Sequence, residues 1–171
     1  GLPNRRMLED ALRAATNNSD AVATQIALVF IDINGIRLIN DSMGHMVGDQ
    51  LLSEAAHRLK ASTPSQAKIA RLDGGEFIVL IQGEAVKQIE NWTTALLSSI
   101  EKPYFVNHSI LRLTAVAGIT SHPNSLALSD PTTLLREADL AMLKAKREGE
   151  RLQQFTPDLS ARVAKQLSLR N

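Results

Sequence analysis

Three stretches far apart along the chain place polar groups at the ends of apolar runs: Asp32, the tetrad Asp73-Gly74-Gly75-Glu76, and Lys146. Carboxylates and an ammonium at strand ends and turns are the raw material of sites, because such positions are exposed yet held by a rigid scaffold. Read alone, Asp32 is equally well a solvated acid closing a strand, so the surrounding segments must decide. Several other chemistries drop out at once. The chain has no cysteine, which excludes thiolate metal sites and disulfides. His57, His108 and His122 are scattered with no metal-ligand spacing, and His45 reads as a packing or hydrogen-bonding residue.

The elements that must position these groups follow from periodicity. Gln25 to Ile33 (QIALVFIDI) is a continuous aliphatic run, predicting a strand buried on both faces with Asp32 emerging at its C-terminal end. From Met46 to Leu59 the apolar residues recur three or four apart, the stripe of a helix packed on a sheet. Lys68 to Leu72 and Phe77 to Ile81 are two short strands joined by Asp73 to Glu76, whose Asp-Gly pair signals a hairpin. Ala85 to Ile100 is helical in pattern, and Ser109 to Thr120 reads as one long strand rich in branched residues. Asp130 then caps a helix that begins at Pro131 and stops at Gly149, with Lys146 in its last turn. Leu8 to Ala15 predicts a short leading helix, and Arg151 to Phe155 a last short strand. The order β, α, β-hairpin, α, β, α belongs to the α+β class, with helices over a mixed, mostly antiparallel sheet.

The 171 residues are 44% apolar, enough for one domain with a real core, assigned here to residues 1–156. Residues 157–171 are amphipathic, with Leu159, Val163 and Leu167 on one face, and read as a helical connector. Lys plus Arg (19) nearly balances Asp plus Glu (18), which argues against the broad basic surface of a nonspecific nucleic-acid or membrane binder. No apolar run approaches the roughly 18 residues of a membrane span. The opening GLPNRRML has a basic pair with no apolar stretch behind it, unlike a signal peptide, and looks like a cut inside a longer protein.

Four segments together resemble one family: the opening GLPNRR, FIDINGIRLINDSMGHMVGDQLL (Phe30 to Leu52), ARLDGGEFIVLI (Ala70 to Ile81) and ADLAMLKAKREG (Ala138 to Gly149). In order and spacing they are similar to the GGDEF domains of diguanylate cyclases. The resemblance implies the palm-like, ferredoxin-like fold of nucleotidyl cyclases, in which two GTP-loaded domains face each other and form cyclic di-GMP by magnesium-assisted phosphoryl transfer. Its implied metal ligands are the Asp32 carboxylate and the Ile33 carbonyl. Its implied nucleotide contacts are the backbone amides of Gly35 and Ile36, the guanine readers Asn40 and Asp49, and the phosphate-binding Lys146. Apart from the resemblance, Asn40 and Asp49 read as helix caps.

The signature is degenerate. Arg71, Glu76 and Phe77 fix the register, so Asp73-Gly74-Gly75-Glu76-Phe77 reads DGGEF and the family's catalytic acid falls on Gly75. Asp73 is two residues from that place, Glu76 should face the other side of the hairpin, and ligation tolerates errors of only about 0.2 Å. The family's arginine four residues beyond the phosphate-binding lysine is Glu150, with Arg151 beside it facing another side. The stretch matching the RxxD inhibitory site is Pro64-Ser65-Gln66-Ala67, with no charge to hold cyclic di-GMP. The expectation is a cytoplasmic, cyclase-dead GGDEF domain, including the cytoplasmic part of a membrane-anchored sensor, that binds GTP and regulates a following EAL phosphodiesterase domain. Two rivals stand beside it: a residual cyclase whose turn rearranges, and a nucleotide-free interaction or homodimerisation module.

Overall fold

The computed structural model describes Arg6, Asp10, residues 25–123 and residues 131–158. The expected helix over 8–15 (of which Asp10 is helical), the Asp130 cap and the amphipathic stretch beyond 158 lie outside the described residues. Strand β1 spans Gln25–Asn34, α1 Ile36–Met43, α2 His45–Ser62, β2 Lys68–Asp73 and β3 Glu76–Gln82. A 3-10 turn over Gly83–Gln88 leads into α3, Ile89–Ile100. Then follow β4 Tyr104–Val106, β5 Ser109–Leu111, β6 Thr114–Pro123, α4 Pro131–Glu148 and β7 Leu152–Gln154.

The main sheet runs β2-β3-β1-β6-β7, antiparallel except for the parallel β6–β7 pair. This is the mixed, mostly antiparallel sheet expected, with the aliphatic β1 at its centre. Side chains alternate along a strand, and β1 divides its own between two cores. Ala27, Val29, Ile31 and Ile33 face a layer formed by α1, α2 and α3, whereas Ile26, Leu28 and Phe30 face α4. That division explains a run with no polar alternation. On the second face Leu134, Leu135, Ala138, Met142 and Ala145 of α4, at helical spacing, are buried. The helix closes at Gly149 (φ 71), where Glu150 N–H donates to the Ala145 carbonyl at 2.8 Å.

The structure departs from the sequence reading in four places. Residues 36–43, between the expected first strand and the expected helix, form the short helix α1 between Gly35 and Gly44. The helix expected from Met46 starts at His45. The helix expected from Ala85 starts at Ile89, and the Ala85 carbonyl accepts from the Trp92 indole (3.1 Å). The single strand expected over Ser109 to Thr120 is broken. Asn107 and His108 both take positive φ (50 and 67), the backbone of a tight hairpin turn, and fold β4 back onto β5 as a separate two-stranded ribbon before β6 begins at Thr114. Arg58 fastens the approach to this ribbon, donating to the carbonyls of Ser99 (3.0 Å), Lys102 (2.7 Å) and Pro103 (2.8 Å) while lying 3.7 Å over the Tyr104 ring.

Candidate functional site

The C-terminal end of β1 is the point where the candidate residues converge. Asp32 pairs across the ladder with Glu76, so the first residue of β3 lies beside the first acid. The β2–β3 hairpin closes through Gly74 and Gly75, with Asp73 opposite Glu76 and a register shift between Arg71 and Asp73. Arg71 Nε donates to the Gly74 carbonyl at 3.0 Å and holds the turn from below.

At this turn the absent carboxylate has a structural counterpart. Ile33 N–H donates to the Gly75 carbonyl at 2.9 Å, so the turn is stitched onto the end of β1. A Cβ on Gly75 would lie 2.6 Å from the Ile33 carbonyl oxygen, closer than side chains approach backbone. The Ile33 carbonyl therefore occupies the space that an acid at position 75 would need. Phe77, next in the motif, is fully buried in the first core and anchors the register.

Lys146 reaches the same corner from the last turn of α4 and donates to Asp32 Oδ2. The pair is partly desolvated, with Asp32 16% and Lys146 42% exposed. Arg151 turns away, as expected, and binds Glu101 Oε1 at 2.5 Å and Ser98 Oγ at 3.3 Å on α3. Glu150 is exposed.

Glu76 sits among acids. Burial is the largest influence, and Asp32, Asp139 and Asp73 add repulsion that Lys146 only partly offsets, so its carboxyl is held above the ordinary value of 4.5. A raised carboxyl binds its proton more tightly folded than unfolded, so stability falls as pH rises through the folded value and is fully present below 4.5. Glu76→Gln is accordingly expected to raise the melting temperature at about pH 7, with the gain vanishing near about pH 4. Thermal unfolding of both proteins across that range checks it.

The second half of the site is the corner between α1 and α2. Asn40 and Asp49 are not caps: Asn40 lies within α1 and Asp49 within α2, and the caps at the two N-termini are Gly35 and Gly44. Asn40 packs so closely on α2 that a Cβ on Gly48 would fall 1.7 Å from its Oδ1. That oxygen is buried and has no hydrogen-bond partner among the described residues. A buried amide oxygen left unmatched is costly, which suits a carbonyl kept for a donor from outside. Asp49, the next residue after Gly48, is exposed at the same corner. Gly35 is the N-cap of α1 and Ile36 its first residue, so their amides lie at a helix start, as a phosphate contact requires.

Pro64 and Ala67 stand apart, half-buried in the turn between α2 and β2, where Ala67 N–H donates to the Pro64 carbonyl at 3.0 Å. One polar cluster was not anticipated. Glu137 of α4, 8% exposed, accepts from Thr120 Oγ1 (3.0 Å) and meets His122 Nε2 at 2.5 Å, fastening α4 to β6. His122 and Glu137 are fifteen residues apart in sequence with no motif spacing, so no sequence signal joins them.

A central antiparallel strand ending in an acid, a two-glycine hairpin beside it and a lysine-bearing helix across it define a GGDEF-type palm. Residues 1–152 match the family "Diguanylate cyclase, GGDEF domain". The chain belongs to this family. It is 33% identical over 169 residues to the bifunctional diguanylate cyclase/cyclic di-GMP phosphodiesterase MucR of Pseudomonas aeruginosa, covering 98% of this chain and 24% of that protein. It is 32% identical over 171 residues to the cyclic di-GMP phosphodiesterase PdeR of Escherichia coli, covering 99% of this chain and 25% of that protein. The chain thus spans about a quarter of the length of these relatives. Among solved structures, the GGDEF domain of PA1120 (TpbB or YfiN) from Pseudomonas aeruginosa superposes with a TM-score of 0.86 at 28% identity, covering 95% of both chains. No helix among the described residues is long and apolar enough to cross a membrane.

Proposed function

We propose that this domain is a regulatory guanine-nucleotide module of cyclic di-GMP signalling that binds GTP but does not condense it. The observation that carries the reading is the turn at Gly75. It offers no carboxylate, and the side chain that would carry one has no room, since its Cβ would lie 2.6 Å from the Ile33 carbonyl oxygen. Phosphoryl transfer between two nucleotides needs charge stabilisation at the transferring group, and the acid that would help supply it is gone. The base-reading corner supports continued binding. The unmatched Asn40 Oδ1 suits an N–H donor, and an Asp49 carboxylate suits the paired N–H groups of guanine's Watson–Crick edge.

Phosphates delivered to the amides at Gly35 and Ile36 would lie past the end of β1, the strand whose Asp32 holds Lys146. Coupling to a neighbour requires that GTP favour one of two domain arrangements. The reading names as that neighbour an EAL phosphodiesterase in the same chain, because two relatives that match this segment over a quarter of their length carry phosphodiesterase in their names. It divides the chain into the GGDEF domain, 1–156, and a connector, 157–171.

Calorimetric titration of GTP into the domain tests the reading. Saturable binding is expected, weakened about tenfold or more by Asp49→Ala, the value of hydrogen bonds to a charged group. No heat at millimolar GTP, or equal affinity for the variant, would reduce the domain to a scaffold.

A further inference from the structure

We propose that the Lys146 ammonium is the resident cation of this site, so that the domain takes guanine nucleotide without a divalent metal. For its ligand the proposal rests on the nucleotide-binding reading above, and for its exclusion of metal it does not. Of the three oxygen donors that the family's metal would use, one is already paired with a cation and one is missing, which leaves the Ile33 carbonyl without its companions.

The Asp32 carboxylate is already neutralised, because Lys146 donates to its Oδ2 in a partly desolvated pair. The lysine is not a wandering surface group. It sits in the last turn of α4, where the negative end of the helix dipole favours a cation. That helix is seated directly on β6, since a Cβ on Gly118 would lie 2.1 Å from the Ala138 carbonyl oxygen and 2.2 Å from Met142 N. The Ile33 carbonyl stands at a corner tied down by the turn, whose Gly75 carbonyl accepts from Ile33 N–H at 2.9 Å. The third donor does not exist, because Gly75 has no side chain, and Asp73, two residues back along the turn, stands across the strand pair from Glu76.

Magnesium asks for near-octahedral oxygen ligands at about 2.0–2.1 Å and sheds water reluctantly. A divalent ion entering here would have to displace Lys146 from Asp32 and then sit beside the displaced charge. Among the described residues no group of three or more histidines and acids is placed to hold a metal. A compact ammonium held by Asp32 at the end of β1, the strand that leads into the helix start at Gly35 and Ile36, is, by contrast, a ready partner for a polyphosphate. It supplies the counter-charge but not the Lewis acidity that nucleotide condensation uses, so binding and catalysis come apart in the same pocket.

Manganese(II), titrated without nucleotide and followed by electron paramagnetic resonance, reads the metal question directly. The native domain is expected to bind it no more tightly than about 1 mM. Lys146→Met, which leaves Asp32 without its counter-ion, is expected to bind manganese about tenfold more tightly, with Lys146→Gln as a second variant. Native affinity near 10 μM, or no gain in either variant, would overturn the proposal. In parallel, the affinity for GTP in excess EDTA is expected within about threefold of that in magnesium, and a loss of about tenfold or more in EDTA would also overturn it. Failure to bind GTP in both buffers removes the nucleotide reading instead, and the manganese titration then decides the exclusion of metal by itself.

Discussion

Gly118→Ala is expected to destabilise the domain by about 3 kcal/mol or more, the range of severe overpacking. The added methyl would lie 2.1 Å from the Ala138 carbonyl oxygen, 2.2 Å from Met142 N and 2.9 Å from Met142 Cα. All three are backbone atoms of α4, so no rotamer change relieves the contact. Relief requires the helix to lift from β6, and lifting opens the second core, in which Ala138 is fully buried and Leu134 and Met142 nearly so. The Thr120–Glu137 and His122–Glu137 bonds cross the same interface and would lengthen with it. Urea unfolding measures the loss. A change below about 1 kcal/mol would mean that α4 is not seated as described.

Gly75→Asp is expected to destabilise the domain and to leave it inactive as a cyclase, although it rewrites the signature towards the family's pattern. The new Cβ would press on the Ile33 carbonyl oxygen, a backbone atom that β1 holds in the ladder with β6 through the pairing of Ile33 with Ala115. A further carboxylate would also join Asp32, Asp139 and Asp73 around Glu76, whose carboxyl is already held up by burial and by those three charges. Together these effects are expected to cost about 1–3 kcal/mol, as overpacking against backbone typically does. Thermal unfolding with the native domain alongside checks the stability, and chromatography of a GTP incubation checks the product. A variant as stable as the native domain that makes cyclic di-GMP would show that the turn opens to admit the acid.

Much of the fold was legible because its main signals are local. The nine-residue run from Gln25 to Ile33 is too apolar for anything but a central strand, and Gly149 ends α4 where the pattern of Leu134, Ala138, Met142 and Ala145 runs out. The ribbon β4–β5 was not legible, since its turn is Asn107-His108 rather than a glycine pair. Helix α1 was missed because two glycines bracket it and its buried residues are few, Ile36 and Ile39, while Leu38 is 71% exposed.

The site divides in the same way. Residue types at the end of β1, in the hairpin and at the end of α4 pointed to one corner, and the structure brings Asp32, Glu76 and Lys146 together there. The sequence gives no sign of what fills the place of the missing acid. The approach of Gly75 to Ile33 joins residues 42 positions apart through backbone alone, and backbone contacts leave no signature in side-chain type. The seat of Asn40 against Gly48 is likewise a tertiary fit, visible only once α1 and α2 are known to meet.

The central claim, nucleotide held but not condensed, is tested most directly on one sample. The native domain, concentrated and saturated with GTP in the presence of manganese, is incubated and its nucleotides are separated by chromatography. The account predicts GTP recovered unchanged, with no cyclic di-GMP above a protein-free control. Cyclic di-GMP accumulating with time and with protein concentration would contradict it.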